Sequence, residues 1–162
     1  IAQCLVGSEM CIRDRLYTIL HQLLIFTQII CKMNKIINID IFCRDLMVHF
    51  GNKRELKDVL KKYYDKETIK YIIGEIDFFA KGYTLCNSRK KILIVYMPTK
   101  PHDSESMGFL VHELLHATNC IMEEIGVEPS EDSEESYAYL IGFLTRKIID
   151  EFSISFGKNM IA

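Results

Sequence analysis

The chain has 162 residues, 20 Lys+Arg against 22 Asp+Glu and 49% hydrophobic residues, with a pI near 6.2. Such values fit one globular domain with a true core, and the lack of a basic excess argues against nucleic acid as a partner. The six cysteines (Cys4, Cys11, Cys31, Cys43, Cys86, Cys120) contain no CxxC pair. A chain of this length needs no staples to fold, so they are expected to be reduced thiols in a cytoplasmic protein.

The opening "IAQCLVGSEMCIRDR" resembles a tail that recurs in front of unrelated proteins in conceptual translations of metagenomic assemblies. The following "LYTILHQLLIFTQIIC" is interrupted by His21, Gln22 and Gln28. It falls short of the roughly 20 apolar residues that a spanning helix needs, and no small-residue cleavage site follows. Residues 1–32 are therefore expected to be a non-native or upstream-translated leader, with Met33 as the start of a single domain over 33–162 and no membrane partner.

From Met33, "INIDIFCRDLMVHFG" holds two β-rich runs flanking Cys43-Arg44-Asp45, which suits a tight hairpin ending at Gly51. "NKRELKDVLKKYY" places Leu56, Val59, Leu60 and Tyr63 at helical spacing, the pattern of an amphipathic helix packed on a sheet. The stretch from Lys66 to Ala80 is weakened as a single helix by Gly74. "GYTLCNSRKKILIVYMP" supplies a strand pair around Asn87-Ser88, ended by Pro98. Residues 91–96 are the candidate edge strand for binding an extended peptide. A helix is expected from Met107 to Ile125, with Asp103, Ser104 or Ser106 as N-cap and Gly126 as C-cap; a second runs from a Ser130 N-cap to Phe152. The fold class is α+β: a small antiparallel sheet with a packing helix, then two long helices.

The first long helix carries "FLVHELLHATN". At roughly 100° per residue, His112 and His116 project about 40° apart from one face, so both imidazoles can reach one ion. Zinc takes such nitrogens at roughly 2.0–2.1 Å, and a catalytic site uses three protein ligands with water in the fourth place. Glu113, on the adjacent face, can take a proton from that water without replacing it, which is the chemistry behind the order HExxH. Phe109, Leu110, Val111, Leu114, Leu115 and Ala117 are uncharged, so the motif is expected in a buried helix, where unpaired imidazoles are costly.

"VHELLH" followed by "EESYAYLIGFL" resembles the gluzincin branch of HExxH metallopeptidases, with the nearest likeness in small phage and prophage proteins and a more distant one in the ImmA/IrrE peptidases. The resemblance covers residues 109–144 and implies a zincin-like domain that hydrolyses peptide or protein substrates with zinc. It makes Glu113 the general base and puts Glu135, beside His112 and His116, in the place of third ligand. Glu134 is the rival, because it shares a helical face with Tyr137, Ala138 and Ile141. One departure is Tyr139, where many members carry an acid that orients a histidine. The competing expectation is a non-catalytic phage or prophage protein in which zinc pins two helices and the function is binding. Tyr137 and Tyr139 are weaker candidates for the oxyanion, His102 is expected in an exposed loop, and His49 reads as structural. The acids Glu123, Glu124, Glu128, Glu131, Asp132 and Glu134 read as a solvated surface. Cys120, one turn past His116, reads as packing.

Overall fold

In a computed structural model, which describes residues 33–155, the alternating run after Met33 forms strand β1 (Asn34–Ile39), burying Ile37 and Ile39 and leaving Asn38 outside. The leader assigned to residues 1–32 falls outside the described residues. The chain reverses over Asp40–Phe42, with Cys43 in the left-handed region at φ 48° and its N–H donating to the Asp40 carbonyl. β2 (Arg44–Phe50) then pairs antiparallel with β1. Arg44 and Asp45 are thus strand residues, and the reversal sits a little earlier than the sequence suggested.

Gly51, at φ 150°, ends β2, and a Cβ there would meet the Glu55 carboxylate and the His49 ring. Asn52 then starts α1 (Lys53–Leu60) through a capping box with Glu55. α2 (Lys66–Glu75) is a separate helix. The break comes from Asp65, whose carboxylate accepts from the Glu67 and Thr68 backbone N–H groups and so begins a new helix instead of continuing the first. Gly74 is accommodated in the last turn of α2. β3 (Tyr83–Asn87), a turn over Ser88–Lys90 and β4 (Ile92–Met97) follow.

The sheet order is β1-β2-β4-β3. β2 and β4 run parallel, whereas the outer pairs are antiparallel. The domain is α+β as expected, but its sheet is mixed and not wholly antiparallel. The physical reason is the crossover: α1 and α2 carry the chain to the far edge as β3, and a tight reversal brings β4 back into the gap beside β2. All six residues of β4 are buried. This strand is therefore the centre of the sheet, which removes residues 91–96 as an edge for a peptide and gives that position to β3.

α3 (Ser104–Glu124) begins at Asp103, whose carboxylate accepts from the Ser106 backbone, and ends before Gly126 at φ 75°. α4 (Glu134–Phe152) starts a few residues later than the expected Ser130 cap. Ser133 Oγ accepts from the Ser130 N–H and lies 2.7 Å from the Glu128 carbonyl, to which it donates, so residues 128–133 form their own hydrogen-bonded turn before the helix begins. One face of the sheet (Leu46, Val48, Phe50, Leu93, Val95, Met97) packs on α3 and α4, and the other (Met47, Ile92, Ile94, Tyr96) on α1 and α2. No described helix is long and apolar enough to cross a membrane.

His49 is buried between the sheet and α1, with no hydrogen-bond partner on either ring nitrogen. Its structural reading holds. Burial pushes its pKa down from 6.5 to about 4, against a smaller upward pull from Glu55. The unfolded chain binds this proton more readily than the native one between those two values, so the stability held above pH 6.5 is lost as the pH falls towards 4. The loss attributable to this ring is about 3 kcal/mol. His49→Met should flatten the fall in urea-unfolding free energy between pH 7 and 4.5; an unchanged slope would assign it to other groups.

Candidate metal centre

The motif lies midway along α3. The helix buries Leu110, Leu114, Ala117 and Ile121 against the sheet. Counting at roughly 100° per residue from Leu114, His112 and His116 fall on the opposite side. Both are exposed, as are Val111 and Leu115 at 37% and 41%. The expectation of a buried motif fails for the histidines, and with it the argument that an ion is needed to offset their burial. What the structure does bring together is their donor atoms: Nε2 of His112 and Nε2 of His116 are 3.1 Å apart, with the rings edge to face. Two nitrogens at zinc's bond length and tetrahedral angle are separated by roughly 3.3 Å. The pair therefore fits two corners of a zinc site.

Glu113 is placed differently. It is 8% exposed and turned from the imidazole face towards β3. Thr84 Oγ1 on that strand lies 2.7 Å from the Glu113 carboxylate and 2.9 Å from its backbone carbonyl. The hydroxyl has one proton, and the charged, nearer acceptor is the stronger claimant. Gly82 explains why the strand can come so close, since a Cβ there would stand 2.7 Å from Glu113 Cγ. Gly82 and Thr84 are two residues apart and so share one side of the strand, while Leu85 faces the opposite core. An open cleft of about 430 Å³, lined by Lys81, Gly82, Glu105, Phe109, His112 and Glu113 among others, borders this arrangement. A larger cavity of about 550 Å³ lies between the β1–β2 reversal and α4 and contains none of the HExxH residues.

The glutamates of α4 are not gathered with the histidines. Among the described residues, neither Glu134 nor Glu135 has a carboxylate oxygen within 4.8 Å of both imidazoles. Helix rise accounts for this. From His116 to the end of α3 at Glu124 the chain advances about 12 Å, whereas Glu134 and Glu135 open α4 beside the connecting loop. The Tyr137 hydroxyl fixes that level by donating to the Val127 carbonyl at 2.9 Å. Helix phase also separates the rivals: Glu135 stands roughly 180° from the buried Leu144, and Glu134 roughly 80°. Both side chains are exposed.

The remaining candidates are accounted for by their contacts. Tyr137 ties the loop, Tyr139 is 74% exposed and lines the larger cavity, and the exposed His102 is 3.4 Å from the Asp103 carboxylate. Two cysteines were misread in the sequence. Cys120 is joined to Cys86 in a disulfide, against the expectation of reduced thiols throughout; Glu124 is exposed, as a surface acid should be, and pairs with Arg44 at 2.6 Å. The Cα atoms of the two cysteines are 6.4 Å apart, inside the range that a disulfide spans. The sulfurs lie 34 residues apart in sequence, too far for any local spacing rule to reveal.

Comparison of the chain with protein-family models, with curated proteins and with solved structures finds no match in any of the three.

Thr84→Val keeps the shape of the side chain and removes the hydroxyl offered to a buried carboxylate. It should lower the unfolding free energy by about 1–3 kcal/mol, measured by urea unfolding, while Thr84→Ser should retain most of it. Equal stability of the valine and wild-type proteins would mean that water serves Glu113 as well as Thr84 does.

Proposed function

We propose that the protein is a zinc-dependent metallopeptidase of the HExxH type. The observation that carries the reading is the 3.1 Å approach of the His112 and His116 Nε2 atoms on the open side of α3, one residue from a carboxylate held under the sheet edge. The residues that would hold the ion are these two histidines; the likeness to gluzincins implies Glu135 as third ligand, which would have to approach from the start of α4, where it stands away from both imidazoles. Helix phase makes Glu134 its competitor. Zinc bound there supplies Lewis acidity, polarising a carbonyl and bringing the pKa of water to about 7.

The chain's own groups divide the remaining work. Glu113 is the general base: it takes a proton from the attacking water and delivers it to the departing amine. Thr84 positions it, because the hydroxyl holds one carboxylate oxygen and leaves the second to exchange the proton. Among the described residues β3 is an edge strand beside the motif helix, and its outward backbone groups suit an extended peptide laid along it. The cleft next to His112, bounded by Lys81 and Glu105, would receive a side chain of that peptide.

A non-catalytic binding protein with a zinc pin is the second reading. It is favoured by one feature, the commitment of Glu113 to Thr84 and not to the imidazole face. Glu113→Gln separates the two. It should retain about one zinc per chain by plasma mass spectrometry and lose roughly 10²–10⁴-fold in hydrolysis of an unfolded protein substrate. Hydrolysis at the wild-type rate would rule out this mechanism, and a wild-type protein that takes up zinc but cleaves nothing would favour the pin. Glu135→Ala should weaken zinc binding more than Glu134→Ala; the reverse order would transfer the third ligand to Glu134.

A further inference from the structure

His112, His116, Cys120 and Glu124 recur every four residues along α3. Each step of four rotates the side chain by about 40°, so the row starts on the open side of the helix and turns towards β3. Its far end meets Cys86 of that strand. The Cys86 and Cys120 sulfurs and a Glu124 carboxylate oxygen lie within 4.8 Å of one another, with Cys120 Sγ 3.8 Å from Glu124 Oε1. Arg44, reaching from β2, donates to that same oxygen at 2.6 Å, and only 10% of its side chain is exposed.

A disulfide that merely ties a strand to a helix has no need of a carboxylate beside its sulfurs, yet Arg44 holds the exposed Glu124 against them. Charge gives the carboxylate a purpose. Two thiolates and one carboxylate carry three negative charges, which a divalent ion and the Arg44 guanidinium balance. In the disulfide form, Glu124 and Arg44 balance each other alone. Both states are therefore neutral.

We propose that in the reduced protein Cys86, Cys120 and Glu124 form a second zinc site, one to two turns along α3 from the histidine pair, and that the Cys86–Cys120 disulfide is its metal-free state. Donors around a tetrahedral zinc with sulfur and oxygen ligands stand roughly 3.4–3.8 Å apart, which the Cys120–Glu124 separation already meets. Zinc binding displaces one proton from each thiol. Oxidation runs by thiol–disulfide exchange: the two zinc-bound thiolates pass two electrons to a small-molecule disulfide, which takes two protons from water and departs as two thiols. The S–S bond forms between Cys86 and Cys120 and the ion is released. The inference does not depend on the peptidase reading, because it uses none of the HExxH residues.

The test uses the full chain carrying His112→Ala and His116→Ala, two exposed positions, so that any metal bound belongs elsewhere. Reduced with a phosphine and titrated with Co²⁺, this protein should take up one ion per chain and show the near-ultraviolet charge-transfer band of thiolate ligation. Oxidised glutathione should abolish the band, and Cys86→Ser should weaken binding at least tenfold. Zinc should displace the cobalt. Absence of the band in the reduced double variant, or a band that survives Cys86→Ser, would overturn the proposal. If Cys86→Ser does not fold, Glu124→Gln decides the matter: affinity lowered at least tenfold supports the site, and affinity unchanged overturns it.

Discussion

The burial of β4 on both faces is the constraint from which the rest of the domain follows. Ile92, Ile94 and Tyr96 belong to one core and Leu93, Val95 and Met97 to the other. At about 1.5–3 kcal/mol for each fully buried large apolar side chain, this one strand organises much of the hydrophobic stabilisation. A strand with no solvent face must lie inside the sheet, and its hairpin partner β3 is thereby left at the edge. Strand alternation then directs Gly82, Thr84 and Cys86 to one side, where Glu113 and Cys120 of α3 meet them.

α3 consequently has three sides with different tasks. Leu110, Leu114, Ala117 and Ile121 anchor it to the sheet, Glu113 and Cys120 join it to β3, and His112 and His116 are left facing outward. The anchored sides give the outward one its rigidity. Two imidazoles on a frayed helix would share an ion only part of the time, whereas on a helix packed against a four-stranded sheet their spacing is set in advance.

How much of this could be read from the sequence depended on how local the cause was. The α+β class, both long helices and the meeting of His112 with His116 follow from patterns that span only a few residues. The stop at Gly126 was legible for the same reason, and the cap at Asp103 as one of three candidates with Ser104 and Ser106. The parallel pairing of β2 with β4 was not, because it depends on where two intervening helices deliver the chain. The exposure of the histidines was hidden too: apolar neighbours at Leu110, Leu114 and Ala117 mark a buried side of α3, and the motif turned out to occupy the other. Cys86, Arg44 and Glu124 lie far apart in sequence and meet only through the fold. The level of Glu134 and Glu135 along α3 is set by the Ser130–Ser133 turn and the Tyr137–Val127 hydrogen bond, neither of which has a sequence signature of its own.

The outer edge of β3, unpaired among the described residues, also bears on solubility. A row of backbone donors and acceptors that suits one extended peptide suits any other, including the same strand of a second chain, and pairing of that kind propagates. Charge stands at both ends of this edge: Lys81 precedes the strand, and Arg89, Lys90 and Lys91 follow it, all exposed. Two copies meeting edge to edge in antiparallel register would bring these cations together from opposite ends, at a cost that salt reduces. A neutral or acidic segment meets no such barrier. The lysines and the arginine thus weigh against self-pairing along this edge more than against pairing with a neutral or acidic strand.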